Sequence, residues 1–238
     1  RHLEWFGGKI VSDENSLFEL TSSHLNTGMR GIPVGTCRTS FVTPTEGVHY
    51  CGYPISELAS MLPEDVIYLL FNKELPNPEQ SSAFQEELKS RGAIPDGIEQ
   101  VLASLPIDGH PMDWLSIGIH TLGMLGGEGD WKSDALNLVA RMPRLLGLIF
   151  RYREGRSDNI PADDLSLDLV GRFTNTLDFG DVDKSIMDQV IATYLVLHMD
   201  HGGGNLSTFA GKAVASGHAS VYSSMAGAMN ALSGPLHG

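Results

Sequence analysis

The sequence predicts a mainly α-helical protein with one small β-hairpin near its N-terminus. Three observations carry this. Helix-start signals recur from residue 54 onward with only short breaks between them, which favours stacked helices over alternating strands and helices. Two runs rich in Val, Thr, Phe and Tyr, residues 34–42 and 47–51, flank a turn at Thr43-Pro44-Thr45-Glu46-Gly47. A late segment, residues 183–198, becomes apolar on every side over its second half, as a helix buried in a core or an interface does.

The elements follow in order. Lys9-Ile10-Val11 reads as a further short strand. Ser56 is placed to cap a short helix that ends at Pro63, and Val66, Leu69 and Leu70 begin another apolar stripe. Asn77-Pro78-Glu79-Gln80 combines an N-cap, a first-turn proline and a capping-box Gln. That helix should run to Arg91 and stop at Gly92. Pro95, Pro111 and Pro143 are each expected in the first turn of further helices, and residues 158–164 form a polar loop. In residues 183–198, Ile186, Val190 and Tyr194 share one face. Val221, Met225, Met229 and Leu232 mark a face of a later helix, whose Ser224, Ala228 and Ala231 permit close packing. The chain divides on this reading into an N-terminal segment with the hairpin, 1–53, and a helical domain, 54–238.

Composition narrows the function. The 238 residues are 42% hydrophobic and 19% charged, with a formal charge of −13. That balance argues against a nucleic-acid partner, which needs a basic surface. An anionic small molecule would need a local cluster of cations. No stretch approaches the length of apolar sequence that spans a bilayer, so no membrane partner is expected. Two cysteines, Cys37 and Cys51, fit a reducing compartment. They lie symmetrically about Pro44, so a disulfide across the hairpin is the alternative to two reduced thiols.

Unusual residues gather in the C-terminal third. The apolar helix runs into His198-Met199-Asp200-His201, then Gly202-Gly203-Gly204-Asn205. Glycines there let backbone approach a ligand, and buried His or Asn must be hydrogen-bonded or functional. His198, Asp200 and His201 have metal-like spacing, but zinc wants further ligands and none cluster elsewhere, so no metal site is assigned. The His-Gly-Gly-Gly run resembles an esterase oxyanion loop, yet the G-x-S-x-G nucleophile motif is missing. A structural histidine and a substrate-binding histidine both stay open for this run. At the end, Ser233-Gly234-Pro235-Leu236-His237-Gly238 sets a histidine where Pro235 could open a helix. A helix N-terminus disfavours imidazolium, and a neutral imidazole can donate a hydrogen bond to a developing enolate.

Taken together, "HMDHGGGN" (198–205) and "AMNALSGPLHG" (228–238) resemble the citrate synthase family, its dimeric eukaryotic-type branch. "GMRG" (28–31), "EGVHYCGYPI" (46–55), "MLP" (61–63), "HPM" (110–112) and "YREG" (152–155) extend the resemblance over the whole chain. It implies the helical large domain of an acyltransferase that condenses acetyl-CoA with oxaloacetate and then hydrolyses the thioester. It implies a homodimer, in bacterial cytoplasm or the mitochondrial matrix. Acetyl-CoA is then a substrate, and no cofactor is called for. His237 matches the histidine that stabilises the enolate, His201 the histidine that binds oxaloacetate, and Asn205 a polar neighbour in the same pocket. His198 matches an upstream supporting histidine, counted with the substrate-binding group, and Arg30 an arginine near the CoA phosphates.

The chain departs from the family in three places. Gly202 stands where a glutamate follows the oxaloacetate histidine, Cys51-Gly52 where Arg-Gly is usual, and 125–131 is a short glycine-rich stretch where some relatives have a longer basic loop. The resemblance also puts the catalytic aspartate, the carbonyl-polarising histidine and the oxaloacetate arginines beyond Gly238. These 238 residues alone are therefore not expected to catalyse condensation. A 2-methylcitrate synthase using propionyl-CoA, or a truncated binding or regulatory homologue, are the alternatives.

Overall fold

A computed structural model describes residues 19, 21–26, 37–45, 47–200, 202 and 205–237 of the chain. Two compact units divide it, Arg1–Gly35 and Thr36–Gly238. Within the first, the described part is a short 3-10 turn, Ser22–Asn26, closed by the Thr21 N–H and hydroxyl on His24 Nδ1. The expected strand at 9–11, the start of the first hairpin run and Arg30 lie outside the described residues.

The second unit opens with the hairpin. β1 (Ser40–Thr43) pairs antiparallel with β2 (Gly47–Tyr50), and β2 with a two-residue β3 (Tyr53–Pro54). Ser40 faces Tyr50 and Thr43 faces Gly47, so the register is centred on position 45, not on Pro44. That one-residue offset decides the cysteine question. Cys51 donates its N–H to Thr39, not to a residue beside Cys37, and both thiols are free. Cys51 and Gly52 make the next turn with both φ angles positive, +49° and +93°, the geometry of a type I′ hairpin.

Among the described residues ten α-helices follow: α1 (Ile55–Leu58), α2 (Pro63–Asn72), α3 (Pro78–Arg91), α4 (Ile98–Ala103), α5 (Pro111–Gly126), α6 (Trp131–Arg153), α7 (Leu169–Leu177), α8 (Lys184–Leu197), α9 (Leu206–Ser216) and α10 (Val221–Leu232). The mainly helical fold with its small sheet is as the sequence predicted. The Asn77 capping box, the α3 stop at Gly92 and the first-turn Pro111 are all present.

Four boundaries differ. Ser56 lies inside α1, which is capped by Pro54 and ends at Leu58. Pro63 does not end a helix but opens α2, where its missing N–H has no partner to lose. Pro95 sits in a turn, and α4 starts three residues later behind Gly97. Pro143 lies within α6. An interior proline costs about 3 kcal/mol. Leu138 and Ala140 before it, with Leu145 and Leu148 after it, are buried, and each large side chain returns roughly 1.5–3 kcal/mol.

The main core joins α4, α5, α6 and α10 through Leu102, Trp114, Leu122, Leu145, Leu148 and Tyr222. On α10 the core contact is carried by Tyr222 and Ala226, flanked by Val221 and Met229, while Met225 is exposed. The expected stripe is therefore rotated toward the next residues. α9 lies against α10 with a glycine on each side of the contact. A Cβ at Gly227 would stand 3.0 Å from Val214, and one at Gly211 3.3 Å from the Ala228 methyl. A smaller core gathers Tyr50, Leu58, Val66, Leu69 and Val196, fastening the hairpin to the end of α8.

Candidate functional site

Three of the sequence-predicted site residues, His198, Asn205 and His237, are described. His201 and Arg30 lie outside the described residues. α8 ends because His198 caps it, its N–H shared among the carbonyls of Tyr194, Leu195 and Val196. Nδ1 bonds the Tyr194 carbonyl at 2.9 Å and the ring stacks on Tyr194 at 4.2 Å. His198 is thus tied to its own helix, a supporting arrangement.

The chain then folds back on Asp200, whose carboxylate accepts from the Gly202 N–H at 2.9 Å, with Gly202 at φ +84°. Tyr50 holds this reversal from below. It is fully buried, donates its hydroxyl to the Val196 carbonyl at 3.0 Å and accepts from the Asp200 N–H at 3.3 Å. Burial pushes the Tyr50 phenol up, so it stays neutral as a donor. Sequence reasoning did not single out Tyr50. Its signal was a tyrosine closing a strand, which also reads as ordinary core.

Asn205 is the N-cap of α9. Its Oδ1 accepts from the Thr208 N–H at 2.7 Å and from the Ser207 hydroxyl at 2.9 Å. One carboxamide oxygen thus takes an orphan N–H of the helix start and a neighbouring hydroxyl together. His237 comes to the same place from the far end of α10. It lies in a turn, its N–H on the Gly234 carbonyl at 3.0 Å, and Nε2 accepts from the Ser207 N–H at 3.2 Å. His237 therefore does sit at a helix N-terminus, but that of α9, thirty residues earlier in the chain. Accepting through Nε2 fixes the tautomer of the neutral ring: its proton is on Nδ1, which is left as a donor.

One helix N-terminus within a helical bundle thus gathers an imidazole and a carboxamide, both able to hydrogen-bond. Comparison with known proteins supplies the particulars. A family model described as "Citrate synthase, C-terminal domain" matches residues 28–238. The mitochondrial citrate synthase of Citrus maxima is 32% identical over 97% of this chain and 54% of its own length. Citrate synthase 4, mitochondrial, of Arabidopsis thaliana is 33% identical over 89% of this chain and 49% of its own. The crystal structure of citrate synthase from Pyrobaculum aerophilum superposes with a TM-score of 0.79 at 26% identity, covering 89% of this chain and 56% of that one. Citrate synthase from Thermotoga maritima gives 0.75 at 25%, covering 88% and 56%. The chain belongs to the citrate synthase family. It spans about half the length of the curated relatives it matches.

Proposed function

We propose that the protein carrying this chain condenses acetyl-CoA with oxaloacetate to give citrate and CoA. The observation that carries the proposal is the seat of His237. The reaction needs the thioester methyl to lose a proton, and negative charge then builds on the thioester oxygen. A hydrogen bond from His237 Nδ1 strengthens as that charge grows, which lowers the barrier without stabilising the ground state equally. The Ser207 N–H on Nε2 holds the ring in the orientation and tautomer this requires. In this reading the Asn205 NH₂ and His201 meet oxaloacetate, His198 supports the helix end, and Arg30 approaches the CoA phosphates. Acetyl-CoA is a substrate, and no separate cofactor takes part.

We infer a homodimer as well. Ile186, Val190 and Tyr194, which share one face of α8, are 57%, 54% and 58% exposed. A continuous apolar stripe of this kind is the sort that a second subunit covers. The names of the curated relatives support a mitochondrial location. Among the described residues no helix is long and apolar enough to cross a membrane.

The test is an assay of CoA release by the full-length protein with acetyl-CoA. Release should require oxaloacetate and should be slower with propionyl-CoA. Release that prefers propionyl-CoA would move the reading to 2-methylcitrate synthesis, and none with either thioester would remove the enzymatic reading.

A further inference from the structure

The hairpin carries chemistry that the condensation does not use. Cys37, Arg38, Phe41, Cys51 and Lys73 line an open cavity of about 450 Å³. Two thiols and two cations thus share one recess on a chain whose formal charge is −13. The thiols differ. Cys37 is exposed, its Sγ 3.5 Å from the Thr39 hydroxyl and 3.8 Å from the Ser40 hydroxyl. Cys51 is half-buried and turns its Sγ to the Leu69 carbonyl at 3.6 Å.

We propose that Cys37 is a thiol–disulfide exchange site for a small carboxylate-bearing disulfide of the glutathione class, held between Arg38 and Lys73. The Cys37 thiolate attacks one sulfur of the incoming disulfide. A new S–S bond forms, the old one breaks, and its electron pair leaves on the other sulfur, which takes up a proton. The Cys37 sulfur is oxidised and the departing sulfur reduced, so the incoming disulfide is the only oxidant required.

The electrostatics agree with this assignment. Burial by itself would raise the Cys37 thiol, but hydrogen bonds from the Thr39 hydroxyl and from Ser40 and Thr39 backbone groups outweigh it and bring it down to about 7. Near neutral pH a large share is thiolate, the reactive form. Burial pushes the Cys51 thiol up instead, Lys73 pulls against it, and the charges of Asp200 and Cys37 add to the rise. Cys51 therefore remains a thiol where Cys37 has ionised.

The experiment treats the full-length protein with oxidised glutathione and maps the adduct by peptide mass. We expect one glutathione on Cys37, released by dithiothreitol, with a rate that rises around pH 7. Cys37→Ser should abolish the adduct and Cys51→Ser should leave its rate unchanged. Lys73→Ala or Arg38→Ala should slow oxidised glutathione severalfold, yet leave an uncharged disulfide such as 2-hydroxyethyl disulfide unaffected. No adduct, or a first adduct on Cys51, would overturn the proposal. So would a rate midpoint at the ordinary cysteine value of about 8.5, or equal slowing of charged and uncharged disulfides.

Discussion

Asn205 combines two roles that substitution can separate. Its Oδ1 caps α9, and in the proposed reading its NH₂ meets oxaloacetate. Asn205→Ala should lower stability by about 1 kcal/mol through the lost cap and also raise KM for oxaloacetate. Asn205→Ser keeps a capping oxygen, so it should recover most of the stability while KM stays high. If stability and KM recover together, Asn205 acts only as a cap. Glu64 offers a pH test. It is buried at 3% exposure and accepts the Leu169 N–H at 3.0 Å. Burial raises its carboxyl above the ordinary range, further than that hydrogen bond lowers it. The folded state therefore holds this proton more tightly than the unfolded chain. Its contribution is complete below the ordinary carboxylate range and is lost as pH rises through the raised folded value. Glu64→Gln keeps an acceptor for Leu169 and removes the titration. The variant should be more stable than the parent near neutral pH, with the gap closing as pH falls. Urea midpoints across that range would show it, and a gap independent of pH would contradict it.

Among the elements, α7 carries one side chain that ties it to two other helices and a loop carboxylate. Arg172 is 2% exposed and donates to the carbonyls of Ala140 at 2.7 Å and Gly92 at 2.9 Å, and to both oxygens of Asp163. It thereby joins α7 to α6 and to the end of α3. Asp163→Ala leaves this guanidinium buried without its counter-charge and should cost about 3 kcal/mol, read from chemical unfolding. A loss below about 0.5 kcal/mol would show that the two carbonyls suffice. α8 makes a different prediction. Val190→Lys places a charge in the middle of its exposed apolar stripe, so light scattering should find a dimer in the parent and monomer in the variant. The same elements show what sequence could reveal. The Asn77 box was legible because its four residues are a complete local device. Pro143 was misread because local rules place a proline in the first turn of a helix, whereas burial of Leu145 and Leu148 carries α6 through it. The α8 stripe was legible as apolar, but whether core or partner covers it is a tertiary fact.

For the whole molecule, the motifs that carry the family resemblance were legible end to end, and the family assignment agrees with them. What sequence could not give was which distant residues meet. Nothing local says that the Tyr50 hydroxyl holds the Val196 carbonyl, or that His237 answers to Ser207 and not to a helix of its own. The second depends on α9 folding back along α10, where Gly211 and Gly227 allow the approach that brings His237 to Ser207. The account rests on that meeting point. Its most direct test is the turnover of His237→Ala in the full-length protein, alongside its thermal midpoint. His237 lies in a surface turn after α10 and outside the buried clusters, so the midpoint should barely move. Loss of the donor to the developing enolate should lower kcat by about 10²–10³. A variant that keeps kcat within a few-fold of the parent would contradict the role assigned to this histidine.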